Sequence, residues 1–263
     1  MHRFYIPPEI WNPDAITLTG SELHHARDVL RIKPGEKAIL FNGQGREVTA
    51  EVVDLGRDEI RLRKLHEATT APLSCRIVLG QAIPKGKNMD LIVQKAVEIG
   101  AAEIAPLISE RTIVDLDPKD AEQKQTKWQQ VAIEAAKQCG QNWLPRVHTP
   151  RKLKDFFADV PKFDLQLIGS LQSDAQHLKK ILSEYRGEDR SAEGRVRPSE
   201  HRPADASPAR TVLMLIGPEG DFTPAELALA KTHGCIPITL GPIILRVETA
   251  AFYCLSVLSY ELF

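Results

Sequence analysis

The sequence predicts an α/β protein in two parts, a compact β-barrel over residues 1–70 and an α/β domain with a mostly parallel sheet over residues 73–263. Three observations lead there. Short β-branched or alternating runs separated by glycine turns fill the first 70 residues. After Pro72 the pattern changes to apolar strands alternating with long helical stretches, the signature of βαβ units. The composition, 43% hydrophobic and 26% charged over 263 residues, is that of a globular chain long enough to bury a core.

In chain order, SELHHARDVLRI (21–32) reads as a helix, stopped by Lys33-Pro34-Gly35. Strands follow at 38–43, 46–56 and 59–65, with turns at Asn42-Gly43-Gln44-Gly45 and Gly56-Arg57-Asp58, and 67–72 (EATTAP) reads as a linker. The second part offers strands at 75–83, 102–108, 163–168, 211–216 and 235–240, and helices at 87–100, 120–139, 174–185, 223–234 and 248–262. Between them, 186–210 has no aromatic residue and only Val196 as a sizeable apolar side chain, so a disordered insertion is expected there.

Charge and cysteine usage narrow the function classes. Lys+Arg number 34 against 35 Asp+Glu, a net charge of −1, which argues against indiscriminate electrostatic capture of a polyanion. Cys75, Cys139, Cys235 and Cys254 lie far apart with no C-x-x-C pair, so reduced core thiols are expected rather than a metal site. His24 and His25 are adjacent, pointing about 100° apart on a helix and unsuited to chelating one metal. The start, MHRFYIPPEIW, has no apolar run of a secretory signal. The most apolar stretch, 250–263, is interrupted by Ser256, Ser259 and Glu261 and is too short to span a membrane. A soluble cytoplasmic protein is expected.

Three strand candidates end alike, at Leu167-Ile168-Gly169, Leu215-Ile216-Gly217 and Leu240-Gly241. In an open α/β sheet ligands sit outside the carboxyl ends of the strands, and glycine there lets backbone groups approach a flat ligand. The alternative is that these glycines only permit turns into helices. The middle turn continues Pro218-Glu219-Gly220-Asp221-Phe222 into Thr223-Pro224-Ala225-Glu226, a cap, a first-turn proline and a capping box. Glu219 is not required by that cap and is free for a ligand or a neighbouring loop. The phosphate-loop, dinucleotide and G-x-S-x-G signatures are all missing. The segment 240–250 (LGPIILRVETA) opens a last helix that is apolar nearly all round, which calls for burial on several sides and suggests a second subunit. Arg246 and Glu248 stand at its mouth, either for chemistry or as a salt bridge tying the loop down.

On these residues the sequence resembles the RsmE family of the SPOUT superfamily, the 16S rRNA uracil-N3 methyltransferases. The hallmarks are L-I-G-P-E-G, here 215–220, and L-G-x-x-I-L-R-x-E-T-A, here 240–250. Supporting matches are Lys85-Gly86, Met89-Asp90, 94–100 (QKAVEIG), 109–112 (SERT), 135–140, Leu23-His24-His25 and Val29-Leu30-Arg31. The resemblance covers nearly the whole chain except 186–210. It implies a PUA-like RNA-binding barrel over 1–70 and a SPOUT methyltransferase domain with a deep trefoil knot over 73–263. It implies S-adenosyl-L-methionine as cofactor, 16S rRNA or the small ribosomal subunit as partner, no metal, and a homodimer through the C-terminal domain.

For residues, the resemblance and the strand-end pattern together assign Arg246 as the catalytic group. Cofactor contacts are expected from Leu167, Ile168, Gly169, Ile216, Gly217, Pro218, Glu219, Gly220, Leu240, Gly241, Ile244, Leu245, Glu248, Thr249 and Ala250. RNA contacts are expected from Arg27, Arg31, Lys33, Lys85, Lys87 and Arg111. The family commonly has Arg at the position of Ile243, Thr at Val247, Arg at Gln141 and Gly at Asp221. A non-catalytic RNA-binding or ribosome-assembly factor that kept the fold is the alternative function, and an unrelated α/β enzyme acting on a small nucleotide is a third.

Overall fold

A computed structural model describes residues 1–112, 116–192 and 210–263. The described chain divides into two compact units, the first comprising 1–72 and 133–144 and the second the remainder.

In the first unit the strands are β1 (His2–Tyr5), β2 (Ile16–Leu18), β3 (Lys37–Phe41), β4 (Arg46–Leu55) and β5 (Ile60–Thr69), with α1 (Gly20–His24) between β2 and β3. They pair in the order β1-β3-β4-β5-β2, with β1 parallel to β3 and the other pairs antiparallel. Alternation sets the core: Val48, Ala50 and Val52 of β4 point inward onto Phe4, Leu18, Leu40 and Ile60. Register shifts at Thr49/Ala50 and Val52/Asp54 add local twist, which helps so short a sheet to curl.

The expected helix at 21–32 is shorter and changes type. After α1 comes a π-helical turn, His25–Val29, and then Arg31 at φ 53°, a backbone state that favours glycine. The expected linker is also shorter, because Glu67, Ala68 and Thr69 pair with Val48, Glu47 and Arg46. Residues 133–144 belong to this unit through directed bonds. The Asn142 amide donates to the Glu47 carboxylate and to Thr70 Oγ1, both at 2.9 Å, the Trp143 indole donates to the Thr70 carbonyl (2.9 Å), and Leu144 N–H donates to the Gly43 carbonyl (3.0 Å).

The second unit contains β6 (Cys75–Ala82), α2 (Asn88–Ile99), β7 (Glu103–Ile108), the start of α3 (Pro118–Cys139), β8 (Arg146–Val147), β9 (Arg151–Lys152), α4 (Leu153–Asp159), β10 (Leu165–Gly169), β11 (Gln176–His177), α5 (Leu178–Ala192), β12 (Arg210–Ile216), α6 (Pro224–Thr232), β13 (Ile236–Thr239) and α7 (Val247–Leu262). Among the described residues its sheet is parallel throughout, in the order β11-β13-β10-β12-β6-β7-β8, with β9 also beside β7. The central strands β10, β12 and β6 are mostly apolar, broken by Gln166, Arg76 and Gln81, in keeping with strands covered on both faces. One face packs Val78, Leu107, Ile168, Leu213 and Leu215 against Phe156, Phe157, Leu227 and Ala230. α2 and α7 pack on one another, and α7 lies against β6 and β12.

All ten expected strands and helices of this part are present, nine of them within about two residues of their expected ends; the helix expected at 174–185 is α5, displaced to Leu178–Ala192. The short α4, β8, β9 and β11 were not anticipated, being too brief for a period to show. α5 continues through Ala192 and β12 begins at Arg210, so both ends of the expected insertion are regular structure, while 193–209 lie outside the described residues. All four cysteines are free, but Cys139 is exposed rather than a core thiol. Burial pushes the Cys235 and Cys254 thiols up to about 12 and Cys75 to about 11, so these three stay protonated. No helix among the described residues is long and apolar enough to cross a membrane.

Candidate active site

The carboxyl ends of β10, β12 and β13 bring Gly169, Gly217 and Gly241 to the wall of one cavity of about 480 Å³. The three glycines serve different ends. Gly241 sits at φ +123° with nothing within 4 Å of where a Cβ would stand, so its backbone is bare toward any ligand. At Gly169 the nearest atom to such a Cβ is 3.6 Å away, so the protein itself has room for one. At Gly217 a Cβ would come within 3.1 Å of the Phe222 nitrogen and 3.2 Å of the Asp221 carboxylate, so the tightness of the turn favours glycine.

That turn is heavily braced. The Glu219 carboxylate accepts from the Lys85 backbone N–H (2.9 Å), which assigns it to the loop after β6. Asp221 stands at φ +61°, where glycine would be at ease; its carboxylate accepts from Phe222 N–H (2.7 Å) and Leu171 N–H (3.2 Å). Thr223 caps α6, and Glu226 completes the capping box; its second oxygen accepts from Glu110 N–H (3.0 Å) in the loop after β7. The Arg111 guanidinium donates to the Gly220 carbonyl. Four residues thus tie this turn to three neighbouring loops, after β6, β7 and β10, as one wall.

Arg246 is the N-cap of α7, exposed on the cavity, and its side chain makes no ion pair or hydrogen bond among the described residues. The Arg246–Glu248 salt bridge considered above is not formed. Glu248 instead accepts from the Asn88 amide at 3.3 Å. The backbone of Arg246 is anchored at the start of the helix, its carbonyl accepting from Ala250 N–H at 2.8 Å, and its unpaired guanidinium stands on the cavity beside apolar Leu245 and Ile244.

Of the expected cofactor residues, Gly169, Ile216, Gly217, Pro218, Glu219, Leu240, Gly241, Ile244, Leu245, Glu248 and Ala250 line this cavity, together with Arg246. Leu167 and Ile168 do not, since both are fully buried in β10. Gly220 lies under Arg111, and Thr249 opens instead onto a groove along α7 beside Tyr253. Sequence reasoning left out Asn88, Leu171 and Ile243 as lining residues and gave Asp221 only the turn. Only Asp221 carried a signal, a non-glycine in a glycine-rich turn.

The expected RNA residues fall into both units. In the first, the Arg27 guanidinium is spent on Asp28 (3.1 Å) and the Arg57 carbonyl (2.8 Å), while Arg31 and Lys33 are exposed. His24 is held by Asp28 at 2.5 Å, and His25 meets Phe4 edge-on. In the second, the Lys85 and Lys87 side chains are exposed without an ion pair among the described residues, and Arg111 is engaged as above. Among the described residues no group of three or more His, Cys, Asp or Glu could hold a metal ion.

Comparison with known proteins places this geometry. The RNA methyltransferase domain family matches residues 71–259, and the RNA methyltransferase PUA domain family matches residues 18–65. The ribosomal RNA small subunit methyltransferase E of Bacillus subtilis is 29% identical over 265 residues, covering 99% of this chain and 97% of the relative. A Legionella pneumophila methyltransferase solved with bound S-adenosylmethionine superposes with a TM-score of 0.79 at 32% identity, covering 98% of this chain and 96% of that one. A ribosomal RNA small subunit methyltransferase E from Neisseria gonorrhoeae, bound to S-adenosylmethionine, gives 0.77 at 31% identity and covers 99% and 97%. The chain, with its PUA domain, parallel-sheet domain and glycine-lined cavity, belongs to the ribosomal RNA small subunit methyltransferase E family.

Proposed function

We propose that the protein transfers a methyl group from S-adenosylmethionine to N3 of a uridine in 16S rRNA. The observation that carries this reading is the meeting of three strand-end glycines with an unpaired Arg246 in one cavity. Its volume falls within the range of about 300–1,000 Å³ usual for small-molecule sites. The cofactor fits the residues present: bare backbone at Gly241 suits adenine or ribose, and Glu219 and Glu248 supply negative charge toward a sulfonium. When bound, S-adenosylmethionine supplies an electrophilic methyl group.

The rest of the chemistry falls to the chain. Uridine N3 is a weak acid on the pairing edge, so the base must be taken unpaired. The Arg246 guanidinium stabilises the negative charge that develops on O2 or O4 as the N3 proton leaves to solvent. Glu219 and Glu248, already accepting from Lys85 and Asn88, brace the walls rather than act as bases. Holding N3 in line with the methyl group accounts for much of the acceleration.

In this reading residues 1–70 grip RNA through Arg31 and Lys33, and residues 73–263 carry the knot and the chemistry, with Lys85 and Lys87 adding phosphate contacts. The protein acts in the cytoplasm as a homodimer. The groove on α7, lined by Phe252, Tyr253, Val257 and Tyr260, is where a second copy docks; Tyr260 is 88% exposed without it. A non-catalytic assembly factor is not favoured, because the cavity keeps its glycines, both glutamates and Arg246.

The test is mass spectrometry of rRNA incubated with the protein and labelled S-adenosylmethionine. One labelled methyl group on uridine N3 of 16S rRNA is expected; no label, or label on another atom, overturns the reading.

A further inference from the structure

The rim of this cavity carries an apolar surface that the fold does not use. Ile243 and Ile244 are consecutive, 74% and 76% exposed, and both line the cavity; Leu171, in the loop after β10, lines it too and is 64% exposed. Single exposed apolar residues are ordinary, but three on the rim of one ligand cavity mark a binding surface. Nearby stand the unpaired cation Arg246 on the same wall and Lys85, whose backbone N–H is bonded to the lining residue Glu219.

An apolar surface beside unpaired cations is complementary to one kind of occupant, an unpaired nucleotide, whose base face packs on the side chains while its carbonyl oxygens meet Arg246 and its phosphate meets Lys85. We propose that Ile243, Ile244 and Leu171 form the platform that receives the target pyrimidine after it leaves its stack. The inference rests on the methyltransferase reading above and adds to it the place where the acceptor base lies. A second copy of the chain has a separate place to dock, since the groove along α7 shares no lining residue with this cavity. Aliphatic side chains make no hydrogen bonds, so the platform sets how tightly the base is held and leaves its identity to polar groups. Its removal therefore weakens RNA capture more than the chemical step.

The double variant Leu171→Ser/Ile243→Ser, compared with Leu171→Ile/Ile243→Val and the unaltered protein, tests this. For the serine variant, KM for rRNA is expected to rise about tenfold or more, with kcat and S-adenosylmethionine Kd by calorimetry held within about twofold, and with unchanged mass by light scattering. The conservative variant is expected to behave like the unaltered protein. An unchanged KM overturns the platform. So does a weakened cofactor Kd, which would give these side chains to the cofactor, or a shift in mass, which would give them to a second copy. If the unaltered protein itself leaves rRNA unmethylated, the methyltransferase reading falls, and the platform with it.

Discussion

Two loops form most of the cavity, and they are built on opposite principles. The loop from Gly217 to Glu226 spends its side chains within the protein, with Glu219, Asp221 and Glu226 each bound to a backbone N–H of a neighbouring loop and Gly220 held by Arg111. The loop from Gly241 to Arg246 does the reverse, with a glycine open on one side, two isoleucines in solvent and a guanidinium without a partner. Unmade interactions cost stability, and the chain keeps them where ligands will make them. The first loop is a wall and the second is a working surface, so substitutions in the first should register as stability and in the second as activity.

Arg246→Ala is the sharpest test of that division. It should lower the methylation rate about 100- to 1,000-fold, with cofactor affinity by calorimetry and melting temperature nearly unchanged; full activity would end its catalytic role. The other end of the same sheet gives a scale of purely structural effect. Burial opposes ionisation of Glu103, yet hydrogen bonds from His148 and Arg76 outweigh it and hold its pKa down to about 2 from an ordinary 4.5. A depressed carboxyl contributes stability above its unfolded pKa and loses it as pH falls, so stability should drop between about pH 4.5 and 2, by about 3 kcal/mol at most. Urea titrations across that range should show a flatter profile for Glu103→Gln.

Within the wall, Glu226→Ala removes half of the capping box and orphans the Glu110 N–H, at a cost of about 2 kcal/mol. Glu226→Gln should recover about half of the loss in the same denaturation assay, because its one amide oxygen can replace only one of the two accepting carboxylate oxygens. The smallest effect is expected for Asp221→Gly. Relief of the left-handed backbone offsets two lost hydrogen bonds, leaving stability within about 1 kcal/mol of the original. A larger loss would show the Asp221–Leu171 tie to be a principal brace.

Much of this was legible before any coordinates. The change from alternating to βαβ patterning at Pro72 announced both parts, and the Thr223–Glu226 cap formed as its spacing required. The strand-end glycines converged as their position in a parallel sheet implies. Partners distant in the chain left no local signal: nothing near Asn88 announces Glu248, nor does anything near Arg111 point to Gly220. Leu167 and Ile168 were misplaced because a motif gives the strand end but not which of its residues faces the core. The π-turn after α1 is only five residues long, too short to displace the helical pattern visibly, and so passed as plain helix.

The bonds from Asn142, Trp143 and Leu144 back to Gly43, Glu47 and Thr70 also bear on the order of events during synthesis. A chain emerging from the ribosome exposes residues 1–72 long before 133–144 are made, so the first unit must wait with its Thr70 edge unfinished. Its final closure is a long-range contact made late, and a cut at residue 72 would sever not two folded pieces but one folding unit from its own last strand of partners.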